Sequence, residues 1–293
     1  MSINDTLSAA VSIGFHGLAF AMVLYLISVG LSVTMGLMGF VNLAHGVFAM
    51  LGGYIVTSLI GRLGVPFVIA LAAATVATAL ASVVVERLLY RRLYSADDLD
   101  QVLLTMGLIF MSVAGATYFW GPLAQPMHPP PWLSGTINLG FRSFPGYRSF
   151  LILCGAGLVT ALWLGLERTH FGVRIRAAVD NLRMAQSVGV NTSRLFTLTF
   201  ALGSGLAGLG GALGADLLAI EPTYALENLV YFLIVVAVGG LGSIRGPFVA
   251  ALVIGIADTG FKYLLPELGA FFIYALTMVI LLWRPSGLFG RAA

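Results

Sequence analysis

Nine apolar runs recur along the chain, at residues 12–35, 46–60, 65–89, 102–120, 149–166, 196–218, 229–241, 247–265 and 271–283. Crossing about 30 Å of hydrocarbon takes about 20 apolar residues as α-helix. In hydrocarbon every backbone amide needs an internal partner, and these runs are too long and too unalternating for barrel strands. Charged residues make up only 9% of the chain, against about 25% in a soluble domain. A water-facing surface cannot be built from so few charges, so most of the outer surface must meet lipid. The sequence therefore predicts an all-α fold, a polytopic membrane helical bundle of eight or nine transmembrane helices in one domain over 1–293. The short second and seventh runs allow for broken or re-entrant helices.

Orientation follows from the arginines. Fourteen of the fifteen basic residues are Arg. Arg87, Arg91 and Arg92 end the third run, Arg168, Arg174, Arg176, Arg183 and Arg194 fill the loop after the fifth, and Arg284 and Arg291 follow the last. With nine spans these clusters share one side, which the positive-inside rule makes cytoplasmic. The N-terminus and the Pro- and Trp-rich loop 121–148 are then external, although Arg142 and Arg148 run mildly against the rule. If 46–60 is re-entrant, the N-terminus changes side. Residues 1–12 have no basic n-region, so no cleaved signal peptide is expected. The charge pattern suits a bilayer and not nucleic acid.

Four features carry chemistry. In Met38-Gly39-Phe40-Val41-Asn42-Leu43-Ala44-His45-Gly46, polar Asn42 and His45 interrupt an apolar stretch between glycines. Such a break at membrane depth lines a cavity or is buried in protein, while a plain turn between two spans is the competing reading. Gly239 to Gly246, with Gly242 between them, repeats the frame of Gly39 to Gly46 in the other half of the chain, as an internal repeat would. Residues 171–189 read as one amphipathic helix with Arg176, Asp180, Arg183 and Ser187 on one face. It either docks a soluble partner or lies on lipid headgroups. Asn191 and Ser193 offer N-cap chemistry to the next span. Asp258 and Lys262 are spaced i, i+4 in the eighth run, as an intramembrane ion pair or part of a transport path. Asp216, Glu221 and Glu227 gather near the external end of the sixth. The glycine-rich run 203–211 lets helix backbones approach closely.

Other chemistries find no residues. Cys154 is the single cysteine, and His16, His45, His128 and His170 share no metal-ligand spacing, so neither a disulfide framework nor a metal site is expected. A P-loop needs Gly-Lys-Ser/Thr, and Lys262, the single lysine, is followed by Tyr263. No catalytic residue is expected in this chain.

Several motifs together resemble the permease subunits of branched-chain amino acid ABC importers, the LivH-type half, over nearly the whole chain. They are Gly36 through Gly46 with Met50 to Tyr54 following, Glu86-Arg87 with Tyr90-Arg91, and Thr169-x-x-Gly172-x-x-x-Arg176-Ala177-Ala178 with Asn181, Ala185 and Gly189 downstream. Gly239-Gly240-Leu241-Gly242-Ser243-Ile244-x-Gly246-Pro247 and Arg284-Pro285-x-Gly287-Leu288-Phe289-Gly290 complete them. Val47-Phe48 depart from the acidic or aromatic pair more usual after His-Gly. The resemblance implies uptake of branched-chain or other hydrophobic amino acids, or of a related small solute such as urea, a short amide or an aromatic acid, across the bacterial inner membrane. It implies a LivM-like second permease, two cytoplasmic ATP-binding subunits holding ATP and Mg, and a periplasmic substrate-binding protein. No cofactor is expected on this chain. The loop about 168–194 would contact the ATPase through Gly172, Arg174, Arg176, Ala177, Ala178, Asn181, Ala185 and Gly189, while Asn42, His45, Gly46, Gly39 and Gly242 would lie near the substrate path. An ATP-independent secondary transporter coupled through Asp258 is the alternative, and a membrane scaffold without transport the third.

Overall fold

The computed structural model describes residues 3–94, 96–138, 143–243 and 245–290. Arg142, Ile244 and Arg291 lie outside them. Helix α1 (Ile3–Met38) is the axis of the bundle. Its 36 residues reach about 54 Å at 1.5 Å per residue, more than a bilayer core is thick. It is apolar on every face, and the stretch Ala19 to Leu31 is almost wholly buried, as expected for a helix with neighbours all round.

Around it stand α2 (His45–Leu63), α3 (Phe67–Leu88), α4 (Asp98–Trp120), α5 (Gly146–Arg168) and α8 (Thr192–Gly214), with the short α6 (His170–Asp180) and α7 (Leu182–Ser187) between the last two. A four-residue α9 (Tyr224–Glu227), then α10 (Leu229–Gly239), α11 (Arg245–Leu264) and α12 (Gly269–Trp283) complete the chain. Seven helices are long and apolar enough to cross a membrane. The seventh and ninth predicted spans fall on the shorter α10 and α12, so among the described residues full-length crossings number fewer than eight or nine.

α1 packs on α8 and α11 along most of its length, and α8 in turn receives α2 and α3. The glycine run 203–211 makes this possible, because its small residues admit three helices at once. A Cβ on Gly30 of α1 would lie 2.4 Å from the carbonyl oxygen of Gly203, and one on Gly52 of α2 would lie 2.1 Å from that of Gly208. Backbones this close gain van der Waals contact without any water-driven term.

The arginine-bearing ends gather at one end of the bundle. Val33 and Leu37 near the end of α1 share a core with Ile175 and Ala178 of α6, Ala185 of α7, and Leu195 and Phe196 of α8. Arg245 bonds Glu167 there at 2.9 Å. At the other end, loop 121–145 carries a two-stranded hairpin, β1 (Thr136–Asn138) on β2 (Ser143–Pro145), where an irregular loop is predicted. Phe144 of that hairpin packs on Phe15 of α1, with ring centroids 4.4 Å apart, and Arg148 reaches Nδ1 of His16 at 2.6 Å.

Candidate functional site

α1 stops because Gly39 takes a left-handed φ of 61°, a conformation only glycine adopts freely. Its amide closes on Met35 at 2.9 Å. The chain then runs back beside α1 without helical structure, and α2 begins at His45. His45 Nε2 lies 3.0 Å from the carbonyl oxygen of Ile27. Ile27 precedes Met38 by eleven residues, about 16 Å along the helix, so α2 starts deep in the bundle and not at its basic end. A carbonyl only accepts, so Nε2 is the donor. Nδ1 of His45 is buried and, among the described residues, has no partner.

Asn42 is 1% exposed. Its Oδ1 accepts from the Tyr90 hydroxyl at 3.1 Å, from the turn after α3. The Val41 amide donates to Oε1 of Gln101 on α4 at 2.8 Å. Nε2 of Gln101 donates in turn to the carbonyls of Leu93 and Ala96, at 3.3 and 3.1 Å. One buried glutamine thus holds the interrupted segment to the corner between α3 and α4. Phe40 stacks on Tyr90 with centroids 4.9 Å apart.

A second interruption meets the first. α9 and α10 join at Asn228, whose Nδ2 donates to the Tyr224 carbonyl at 2.9 Å. A Cβ on Gly46 would lie 3.2 Å from the Phe232 ring and 3.3 Å from the Ala225 carbonyl. Ala44, Ala225 and Ile109 of α4 are fully buried together. The start of α2 therefore abuts the α9–α10 joint.

The frame 239–246 is thus not the facing partner of 39–46. It docks on α1 just before α1 ends. The Gly242 amide donates to the Ser32 carbonyl at 3.0 Å, the Ser32 hydroxyl lies 3.2 and 3.0 Å from the carbonyls of Gly240 and Ser243, and a Cβ on Gly36 would fall 2.2 Å from Gly242 Cα. Nor do the polar side chains of 39–46 point outward. Asn42 and His45 turn into the protein, while Val41, Leu43 and Val47, with Leu226 of α9, are the half-buried residues on the outer side.

The predicted amphipathic helix 171–189 is two helices. Asn181 is extended, at φ −155°, and its Oδ1 caps α7 by accepting from the Met184 amide at 3.0 Å. Thr169 caps α6 and Asn191 caps α8 in the same way, whereas Ser193 lies inside α8. Arg174, Arg176, Ala177, Asn181 and Gly189 are exposed, and Arg176 donates to the Leu166 carbonyl at the end of α5. Gly172, Ala178 and Ala185 are buried. They hold the hairpin to the bundle: a Cβ on Gly172 would strike the Leu166 carbonyl at 1.9 Å, and Ala178 and Ala185 pack under α1 and α8.

Lys262 Nζ pairs with Oδ2 of Asp258 at 2.8 Å, and the Tyr231 hydroxyl bridges the two, 3.1 Å from Asp258 and 3.2 Å from Lys262. The neighbouring Gly260 faces Ile13, so the pair sits toward the end of the bundle opposite the arginines, with Lys262 half exposed. Near that end burial pushes the Glu221 carboxyl above its ordinary range, and the hydrogen bond and charge of Glu227 add to the shift. Among the described residues no three His, Cys, Asp or Glu gather as metal ligands would.

Gln101 and Tyr224 escape a reading by residue type, and Tyr90 enters it only within the Glu86-Arg87, Tyr90-Arg91 motif. Gln101 opens an apolar run like any helix-end polar residue.

Comparison with known proteins adds the following. A family model described as branched-chain amino acid transport system / permease component matches residues 13–281. The high-affinity branched-chain amino acid transport system permease protein BraD of Pseudomonas aeruginosa is 28% identical, over 94% of each chain. LivH of Escherichia coli, of the same description, is 27% identical over 94% of each. A probable branched-chain amino acid transport permease protein LivH of Methanocaldococcus jannaschii is 28% identical over 84% of this chain and 79% of that one. No solved structure matches significantly.

Proposed function

The chain belongs to the branched-chain amino acid transport permease family, and from that premise we propose that it forms, with a LivM-like second permease, the membrane path of an inner-membrane ABC importer for branched-chain amino acids. It is a multi-pass transport subunit and not an enzyme. One of two cytoplasmic ATP-binding subunits docks on the exposed face of α6 and α7, through Arg174, Ala177 and Arg183. A periplasmic binding protein delivers the amino acid at the other end.

The observation that carries the reading is the interrupted helix beside Ile27. Non-helical backbone at that depth is not tolerated against lipid, so its outer side, with Val41, Leu43, Val47 and Leu226, is covered by the second permease and the path between them. Aliphatic side chains of that kind suit a substrate with an aliphatic side chain. Asn42 and His45 brace the wall from behind. Alternating access then follows when ATP binding favours one of two arrangements of the pair.

Reconstitution of the four kinds of subunit in proteoliposomes tests this. Leucine uptake should require internal ATP and the binding protein and survive collapse of the proton and sodium gradients. Uptake by this chain without an ATPase, abolished by a protonophore, would replace the proposal with a secondary transporter.

A further inference from the structure

Glu86 is 1% exposed in the last turn of α3. Arg87, Arg91 and Arg92 are its sequence neighbours, yet among the described residues no cation lies within ion-pair distance of it. Two hydroxyls hold it instead. Tyr94 donates to Oε1 at 2.6 Å and Thr197 of α8 donates to Oε2 at 3.0 Å. A buried carboxylate with no ion-pair partner is a costly way to join two helices, and a neutral amide would join them for less.

Each oxygen leads somewhere. Thr197 follows Leu195 and Phe196, which pack directly on α6 and α7, so a displacement of that hairpin reaches Thr197. Tyr94 sets its ring against Phe40 and Phe196, with centroids 5.9 and 5.7 Å away. Phe40 stacks on Tyr90, and the Tyr90 hydroxyl holds Asn42 in the interrupted segment. The Thr197 hydroxyl also has a second acceptor, the Ser193 carbonyl at 3.2 Å. A hydroxyl has one proton to donate. Turning from Glu86 to Ser193 keeps a bond for Thr197 and strips one from the carboxylate, which gives the contact two discrete states.

We propose that Glu86 is the positioning residue that couples the α6–α7 hairpin to the interrupted segment 39–46, with Thr197 as its two-state latch. This rests on the reading of α6 and α7 as the ATPase dock. A two-state element biased from both ends is what coupling between distant sites requires.

The test uses the complete transporter in nanodiscs, carrying Leu43→Cys with Cys154→Ser as a reporter. Glu86→Gln and Thr197→Val should leave ATP hydrolysis in place. They should lower substrate moved per ATP about tenfold, the loss expected from one charge-assisted hydrogen bond. Trapping with ATP and vanadate should change the thiol-labelling rate at residue 43 in the parent and leave it within about twofold in either variant, a readout that simple loosening would not abolish. Thr197→Ser, which keeps the hydroxyl, should restore both. If Glu86→Gln does not assemble, the Thr197 pair decides. Parent-like transport per ATP and a parent-like trapping response in Thr197→Val would overturn the proposal. An ATPase that fails to bind the parent chain would instead remove the docking reading beneath it.

Discussion

Replacing Gln101 with leucine should destabilise the protein by about 2–3 kcal/mol. The side chain is 2% exposed and makes three hydrogen bonds, to the Val41 amide and to the carbonyls of Leu93 and Ala96. Each is worth about 1 kcal/mol net, and partners left unpaired and half buried raise that figure. The leucine methyls recover about 1 kcal/mol by their own burial. Gln101→Glu should be worse than Gln101→Leu, since it keeps the acceptor for Val41 but turns a carboxylate toward two carbonyls. Both should also lower uptake, because the bond to Val41 fixes the interrupted segment. Unfolding of the purified chain in mixed micelles with increasing SDS gives the free energies. A Gln101→Leu protein within about 0.5 kcal/mol of the parent, the scatter of ordinary surface substitutions, would show that Gln101 does not pin the segment.

The remaining predictions concern the ion pair, the hairpin and the acidic loop. Asp258→Asn alone should lower stability and uptake more than Asp258→Asn combined with Lys262→Met, because the lone lysine keeps its desolvation cost without its partner; equal defects in the two would assign them separate roles. Ala177→Glu should leave SDS unfolding unchanged and lower ATPase co-purification, whereas Ala178→Glu, at a position 3% exposed under α1 and α8, should fail at folding; a co-purification yield unaffected by Ala177→Glu would exclude this face as the dock. The raised carboxyl of Glu221 makes the folded state bind more protons than the unfolded one, so its contribution is full below the ordinary glutamate value of 4.5 and is lost as pH rises through the folded-state value. Glu221→Gln should flatten the fall in unfolding temperature over that window, and an unaltered slope would assign the fall to other groups.

Much of the fold was written in local chemistry. The nine apolar runs fall largely on helices, seven of them long enough to cross a membrane, because hydrocarbon leaves the backbone no other partner than itself. The arginines that follow the third and fifth runs share one end, and Asn191 caps α8 as its position before the run suggests. The motifs were enough to point to the family. What the sequence does not decide is which way a residue faces. Inside a membrane the lipid side and the protein side of a helix are both apolar, so periodicity cannot tell them apart. Asn42 and His45 therefore read as path residues, while their side chains are buried against Tyr90 and the Ile27 carbonyl. The break at Asn181 was hidden for a different reason: the apolar spacing on both sides fits one continuous helix, and only packing of Ile175 and Ala185 onto α1 and α8 requires a bend. The frame at 239–246 repeats 39–46 in residue type, yet its partner is Ser32 on α1, a contact 208 residues away in sequence. Glu86 read as one more charge at a basic helix end. Only the tertiary structure separates it from its arginines and gives it to Tyr94 and Thr197, because α8 packs on the last turn of α3 and the carboxyl is buried there.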